Sequence, residues 1–120
     1  MTDYKCTSPV LIIIFNRPNF VKKLIDTLRQ VRPSKIYVVA DGPREGVSED
    51  LDKCYQAKKQ IDEIDWECDI QKKYSEINLG CGLNPSEGIS WALSRSEKVI
   101  ILEDDCLPNI DFFKYCDELL

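Results

Sequence analysis

The hydrophobic residues of this chain form short β-branched runs that alternate with segments of helical periodicity. Val10–Phe15 and Ile36–Ala40 are continuously apolar, and Lys98–Leu102 is apolar after its first residue. Such runs are typical of strands that are buried on both faces of a parallel sheet. Cys68–Tyr74 is more polar, and we predict that it forms a strand nearer an edge of the same sheet.

Helices are predicted between these strands and after the last one. Asn16 is a candidate N-cap for the first helix, which has Pro18 in its first turn. Asn84 and Glu87 have the spacing of a capping box, which predicts that the third helix begins after the preceding glycine-rich loop. The predicted helices cover about residues 18–32, 49–63, 85–96 and 111–120.

The alternation of strands and helices predicts an α/β domain with a Rossmann-like, three-layer α/β/α architecture and a mostly parallel sheet. At 120 residues the chain is long enough for one such domain. Ligands of these sheets bind outside the carboxyl ends of the strands. We expect three polar clusters at predicted strand ends to converge on one cleft, namely Asn16-Arg17, Asp41-Gly42 and Glu103-Asp104-Asp105.

The acidic triplet at residues 103–105 is the most informative of these clusters. Three adjacent carboxylates repel one another, so their pKa values rise unless a cation or hydrogen bonds compensate. A hard divalent ion with oxygen ligands fits such a site. The alternative is a solvated acidic turn. The buried strand before the triplet and the apolar segment 106–108 after it favour a functional role.

The other two clusters each allow two interpretations. Asp41-Gly42 is either a simple turn, where this dipeptide is common, or supplies a carboxylate that accepts a hydrogen bond from a nucleotide base. Arg17 either pairs with a diphosphate or is a surface arginine beside the start of a helix.

Composition excludes several classes of protein. The chain contains no histidine, which excludes a Ser-His-Asp triad and histidine-liganded zinc. It contains neither a P-loop motif nor a dinucleotide-binding glycine motif. Of the overall charge of −5, residues 61–120 carry −9 and residues 1–60 carry +4. An acidic second half argues against general binding of nucleic acid or anionic membranes.

The sequence also predicts the compartment. Its six cysteines include no C-x-x-C pair, and we expect mostly buried, free thiols in a reducing environment. The longest apolar run, Val10–Phe15, is far shorter than the ~20 residues of a membrane helix. The first residues lack the pattern of a signal peptide. These features predict a cytoplasmic location.

Four segments resemble a known family. VLIIIFNR at residues 10–17, VVADG at 38–42 and especially VIILEDDCLPNIDFFKY at 99–115 resemble the N-terminal half of a GT-A-fold glycosyltransferase. The resemblance is closest to the N-acetylglucosaminyltransferase I type. NLGCGLNPSEGISWAL at 78–93 is similar to a segment of bacterial inverting transferases. The implied fold is therefore the nucleotide-diphospho-sugar transferase type of α/β domain.

This resemblance implies a UDP-sugar donor whose diphosphate is bridged by Mn²⁺ or Mg²⁺. Asp105 corresponds to the direct metal ligand, and Asp41 to the residue that binds the uracil edge. Arg17 corresponds to a nucleotide contact, and the first two acidic residues of the triplet to contacts with the ribose or sugar, or to metal support. The implied substrate-binding residues are Asn16, Arg17, Asp41, Gly42, Glu103 and Asp104.

The resemblance covers about residues 9–116, whereas a complete transferase of this family is considerably longer and carries its catalytic base beyond the acidic triplet. We therefore expect residues 1–120 to form a single nucleotide-sugar-binding domain, the donor-binding half of a larger transferase. Its acceptor is expected to be a glycan or a lipid-linked sugar. The alternative is a non-catalytic nucleotide-binding or assembly module that needs a partner chain. An aromatic C-terminal helix with an exposed apolar face favours self-association.

Overall fold

The computed structural model of the chain describes residues 3–120, which form four strands and four helices. A 3-10 turn at Gln60–Glu63 extends the second helix. In chain order the elements are β1 (Val10–Ile14), α1 (Pro18–Val31), β2 (Lys35–Ala40), α2 (Asp50–Lys59), β3 (Asp69–Tyr74), α3 (Gly80–Leu93), β4 (Ile100–Glu103) and α4 (Ile110–Leu119).

The four strands form one sheet in the order β3-β2-β1-β4, and every neighbouring pair is parallel. Ile12 at the centre of β1 is aligned with Val38 on one side and Leu102 on the other. The prediction of a parallel sheet is therefore confirmed, and the more polar strand does lie at an edge. From β1 the chain adds β2 and then β3 on one side of the sheet, and it then returns to add β4 on the other side of β1. The strand order therefore reverses between β1 and β4.

The larger hydrophobic core lies on the face of the sheet covered by α1, α2 and α4. The helical periodicity of α1 produces its buried face, since Val21, Leu24 and Leu28 are fully buried against the sheet. Phe113 from α4 and Ile61 from the 3-10 turn complete this core. Except for Asp50, which is buried, the charged residues of α1 and α2 remain on the solvent side, as expected for amphipathic helices.

Helix α3 covers the opposite face, which gives the domain its three layers. Its buried residues recur every four positions at Asn84, Gly88 and Ala92. Gly88 permits a close approach to β2, because a Cβ atom there would lie 2.6 Å from a methyl group of Val39. β4 lies at the other edge of the sheet and is only partly covered on this face, where Ile101 is 43% exposed. The prediction that this strand is buried on both faces is therefore wrong.

The predicted start of α3 is wrong. The helix begins at Gly80, four residues before the predicted cap Asn84, and includes Pro85 in its second turn. The carboxylate of Asp41 accepts hydrogen bonds from the backbone N–H groups of Leu79 at 2.7 Å and Gly80 at 3.0 Å. A side chain that is distant in sequence thus satisfies amide groups at the helix start that otherwise lack partners.

The first helix also begins without the predicted cap. Residue Arg17 occupies the N-cap position of α1 and provides no side-chain capping bond. The amide of Asn16 instead donates to Asp50 at 2.9 Å. Asn16 therefore connects the end of β1 to the start of α2, rather than capping α1.

The C-terminal helix is attached to the N-terminal segment through Asp117. This carboxylate accepts hydrogen bonds from the hydroxyl of Tyr4 and from the backbone N–H groups of Thr7 and Ser8, both at 3.0 Å. Burial raises the pKa of Asp117, but these hydrogen bonds outweigh it and lower the pKa to about 2. The start and the end of the described chain are thereby held together beside β1.

All six cysteines are free thiols in this structure. Cys6 and Cys54 are buried, whereas Cys81 and Cys106 are exposed, so the expectation of mostly buried thiols holds only for some of them. Burial raises the pKa of the Cys6 thiol to about 12. None of the helices within residues 3–120 combines the length and apolarity needed to cross a bilayer.

Candidate functional site

A cavity of about 430 Å³ lies at the carboxyl edge of the sheet. The ends of β1, β2 and β4 and the start of α3 form its walls. Its polar lining includes Arg17, Asp41, Arg44, Asn84, Glu103 and Asp104. The strand order reverses between β1 and β4, which is where parallel α/β sheets bind their ligands.

Arg17 and Asp104 form an ion pair across this reversal point. Arg17 follows β1 and Asp104 follows β4, and their side chains meet at 2.5 Å through Nη2 and Oδ1. A second guanidinium nitrogen of Arg17 lies 4.0 Å from Asp105. The guanidinium also lies over the ring of Phe20, 5.1 Å from its centroid. Parallel pairing of β1 with β4 brings these two loops together.

Asp104 is a buried carboxylate that is only partly satisfied. Its side chain is 2% exposed, and its Oδ2 atom has no hydrogen-bond partner among residues 3–120. Burial raises the pKa of Asp104, as do the charges of Asp105 and Glu103, and this outweighs the lowering by Arg17. A buried polar atom without a partner is uncommon and calls for an explanation, such as a ligand.

Asp41 has the opposite environment, because both of its oxygens are fully used. In addition to the two amide groups at the start of α3, it accepts from the backbone N–H of Gly42 at 2.8 Å and from the amide of Asn78 at 3.2 Å. Four donors match the acceptor capacity of a carboxylate. Asp41 lines the cavity and at the same time fixes the loop that starts α3.

A second arginine reaches the cavity from the loop after β2. The guanidinium of Arg44 donates to Asp50 through Nε at 2.7 Å and Nη2 at 3.0 Å. Asp50 is almost completely buried and also accepts from Asn16 and from the backbone N–H of Arg44. The hydrogen bonds from Arg44 hold the pKa of Asp50 well below its usual range.

Asn84 was predicted as a helix cap, but it lies on the buried face of α3. Its side chain is 5% exposed, lines the cavity and makes no hydrogen bond to any residue that the structure describes. The spacing of Asn84, Gly88 and Ala92 is a sequence signal that would have indicated a helical face continuing through residue 84. No comparable local signal identifies Arg44.

The structure brings four of the predicted site residues to one cavity: Arg17, Asp41, Glu103 and Asp104. Asn16 and Gly42 support the walls instead. A Cβ atom on Gly42 would lie 2.6 Å from the backbone of Ile77, so glycine allows the loops after β2 and β3 to approach. Asp105 does not line the cavity, and its side chain is 50% exposed.

The metal site at Asp105 stays a prediction. Within residues 3–120, no group of three or more carboxylate or thiol side chains is arranged to hold a metal ion. Asp104 does present an unpartnered carboxylate oxygen, which is a donor of the type that Mg²⁺ and Mn²⁺ prefer. A cation here would therefore need substrate oxygens to complete its shell.

The charges of the lining indicate what kind of ligand fits. Two arginines face three carboxylates, so the side chains that line the cavity carry a formal net charge of −1. The guanidinium groups suit phosphate or carboxylate oxygens, whereas Asp104 and Glu103 suit hydroxyl groups or a cation. The cavity therefore fits a ligand that carries both anionic groups and hydroxyls.

Fold and site together define an α/β domain with an all-parallel sheet and a polar cavity at its carboxyl edge, which is compatible with a Rossmann-like fold. No family model, curated protein or solved structure matches this chain.

Proposed function

We propose that this domain binds a nucleoside diphosphate-sugar, preferably a UDP-sugar, as the donor-binding part of a GT-A-type glycosyltransferase. The observation that carries the proposal is the convergence of Arg17, Asp41, Glu103 and Asp104 on one cavity at the strand-order reversal. Both a diphosphate and sugar hydroxyls find suitable partners there. The resemblance of residues 99–115 to this family is the second source of support.

The chain's own residues have distinct roles in this proposal. Arg17 contacts the nucleotide from the end of β1, and the free Oδ2 of Asp104 accepts a hydrogen bond from a ribose or sugar hydroxyl. Glu103 lines the same wall. Asp41 is the predicted contact to the base. Its four existing hydrogen bonds mean that such a contact requires one of them, such as the 3.2 Å bond from Asn78, to be exchanged.

A divalent cation, Mn²⁺ or Mg²⁺, would be held by Asp105, as the resemblance implies, with support from Asp104 and Glu103. Because Asp105 lies outside the cavity lining, its half-exposed side chain would have to turn toward the cavity to bind the ion. When bound, it would offset negative charge on the diphosphate. The net negative lining of the cavity makes such compensation necessary, because a diphosphate alone would meet electrostatic repulsion. Arg17 lies against both aspartates, at 2.5 Å from Asp104 and 4.0 Å from Asp105.

Thermal unfolding with UDP and UDP-sugars, with and without Mn²⁺, tests this function. A ligand at ~100 times its dissociation constant adds about 2.7 kcal/mol to the free energy of unfolding, which raises the midpoint by several degrees in a domain of this size. We expect the increase to require both UDP and metal and to be lost in Asp105→Ala.

Asp111→Ala is the matched control, because Asp111 is an exposed acidic residue at the start of α4 outside the cavity. It should leave the response to UDP and metal unchanged. If no nucleotide or nucleotide-sugar raises the midpoint of the wild-type domain under any metal condition, the proposed function is wrong.

Exposed apolar side chains favour the second candidate, a module of the same fold that assembles with another chain. Leu107 in the loop before α4 and Tyr115 and Leu119 on that helix are 55%, 62% and 66% exposed. Analytical ultracentrifugation over a range of concentrations tests the homo-oligomeric form of this module. Concentration-dependent association that is abolished by Leu119→Lys supports it, and a monomer at all concentrations contradicts it.

A further inference from the structure

Arg44 is a cavity residue without a role in the proposed function. Its guanidinium binds Asp50 through two N–H groups, in the fork geometry that fixes an arginine side chain. An arginine side chain has five N–H donors, and Arg44 makes no other side-chain hydrogen bond within the described part of the chain. The guanidinium also lies beside the ring of Phe15, 5.6 Å from its centroid.

Two further residues hold this arginine in place. Asp50 is 1% exposed and is fixed at the start of α2. The amide of Asn16 donates to Asp50 at 2.9 Å, so the end of β1 orients the carboxylate that orients the guanidinium. The side chain of Arg44 itself is 51% exposed and lines the cavity, and its remaining N–H donors have no partner within the described residues.

Asn84 on α3 is an independent observation that points to a ligand in the same cavity. The residue is only 5% exposed, its side chain lines the cavity, and its amide makes no hydrogen bond within residues 3–120. Its amide atoms keep some solvent contact, since they are not among the fully buried atoms without a partner. A ligand oxygen in the cavity is therefore able to accept from this amide.

We propose that Arg44 and Asn84 form a subsite for a phosphoryl group of the ligand, and that Asp50 and Asn16 are positioning residues for Arg44. The inference rests on the proposed function, because the phosphoryl group is taken to be part of the nucleoside diphosphate. A guanidinium matches phosphate oxygens with two parallel hydrogen bonds, whereas an ammonium group does not. Arg17, bound to Asp104, lines the same cavity and is available for the other phosphoryl group.

Calorimetric titration with inorganic phosphate, inorganic diphosphate and UDP, each with excess Mg²⁺, tests the subsite. We expect Arg44→Ala to weaken diphosphate and UDP at least about tenfold, and Arg44→Lys to restore only part of the loss. Asn84→Ala should weaken the same ligands less. Binding of inorganic phosphate as tight as that of diphosphate identifies a single free phosphate as the ligand chemistry.

Arg95→Ala is the matched control. Arg95 also packs on an aromatic ring, 5.5 Å from the centroid of Trp91, but it does not line the cavity. This variant should bind diphosphate and UDP as the wild type does. If Arg44→Ala behaves like Arg95→Ala, or if the wild type binds neither diphosphate nor UDP, the subsite is overturned.

The role of Asn16 is tested in a double-mutant cycle. Asn16→Ala should weaken diphosphate in the wild-type background and have no further effect in Arg44→Ala, because it acts through that side chain. A merely structural effect of Asn16 would be equal in both backgrounds and would contradict the positioning role.

These results also separate the subsite from the proposed function. Diphosphate binding that depends on Arg44, together with no added affinity for UDP or UDP-sugars, supports the subsite and contradicts the nucleotide-sugar assignment. UDP binding that depends on Asp105 and metal but not on Arg44 supports the nucleotide-sugar assignment and contradicts the subsite.

Discussion

Two arginine–aspartate pairs reach the same cavity and are built alike. In the Arg44–Asp50 pair the side chains are 51% and 1% exposed, and in the Arg17–Asp104 pair they are 46% and 2% exposed. Each aspartate is therefore buried under a half-exposed guanidinium. Each guanidinium also lies beside a phenylalanine ring.

The pairs differ in how well the aspartate is satisfied. Asp50 accepts three hydrogen bonds from Arg44 and one from Asn16, and its pKa is held low. Asp104 accepts from Arg17 through one oxygen only, and its pKa is raised, chiefly by burial. The first pair thus stabilises the framework of the cavity, whereas the second retains an unsatisfied group, as binding sites often do.

The largest expected effect on stability comes from Asp50→Asn. The substitution removes the charge that accepts from Arg44 and places an amide donor among existing donors, so the start of α2 and the loop after β2 lose their common anchor. We expect the unfolding midpoint to fall on the order of 10 °C in a thermal melt.

Asp52→Asn is the control for that substitution. Asp52 lies in the same first turn of α2, but it is exposed and has no ion pair within the described residues. It should change the midpoint little. An equal fall in both variants would mean that helix-dipole effects, and not the Arg44–Asp50 pair, account for the loss.

Asp104→Asn should change the stability of the domain less than Asp50→Asn does, and in the opposite direction. The amide keeps an acceptor for Arg17 and removes a buried charge that its surroundings disfavour, so we expect a small increase in stability near neutral pH. Chemical denaturation measures the change, and ligand titration should show weaker binding of UDP with metal. A variant that is less stable than the wild type would show that Arg17 compensates the buried charge fully.

Most of the fold could be predicted because it depends on local pattern. The β-branched runs define β1, β2 and β4 to within about two residues, since continuous apolar strands fit a parallel sheet. The start of α3 could not be predicted in this way. Its amide groups bind Asp41, which is 38 residues away from Leu79, and no local capping rule includes such a partner.

The site residues likewise divide into those that local pattern predicts and those that depend on tertiary contacts. Arg17, Asp41, Glu103 and Asp104 follow buried strands, and the rule that parallel strands end at one edge was enough to group them. Arg44 was missed because its orientation depends on Asp50, a buried partner in another element. Which residues pair between loops depends on the tertiary structure, and hydrophobic periodicity does not indicate it.

The pH dependence of stability distinguishes the two aspartates most finely. The raised pKa of Asp104 means that its ionisation favours the unfolded chain, so its cost is absent below the ordinary value of 3.8 and complete above the folded-state pKa. The advantage of Asp104→Asn should therefore grow as pH increases.

Asp50 has a lowered pKa, so its contribution to stability is present above pH 3.8 and lost as pH falls below that value. The deficit of Asp50→Asn should therefore be complete well above pH 3.8 and shrink as pH falls below it. Denaturation of the three proteins between about pH 2 and pH 7 measures both differences from the wild type, which should have opposite signs, and parallel curves would contradict the contrast between the pairs.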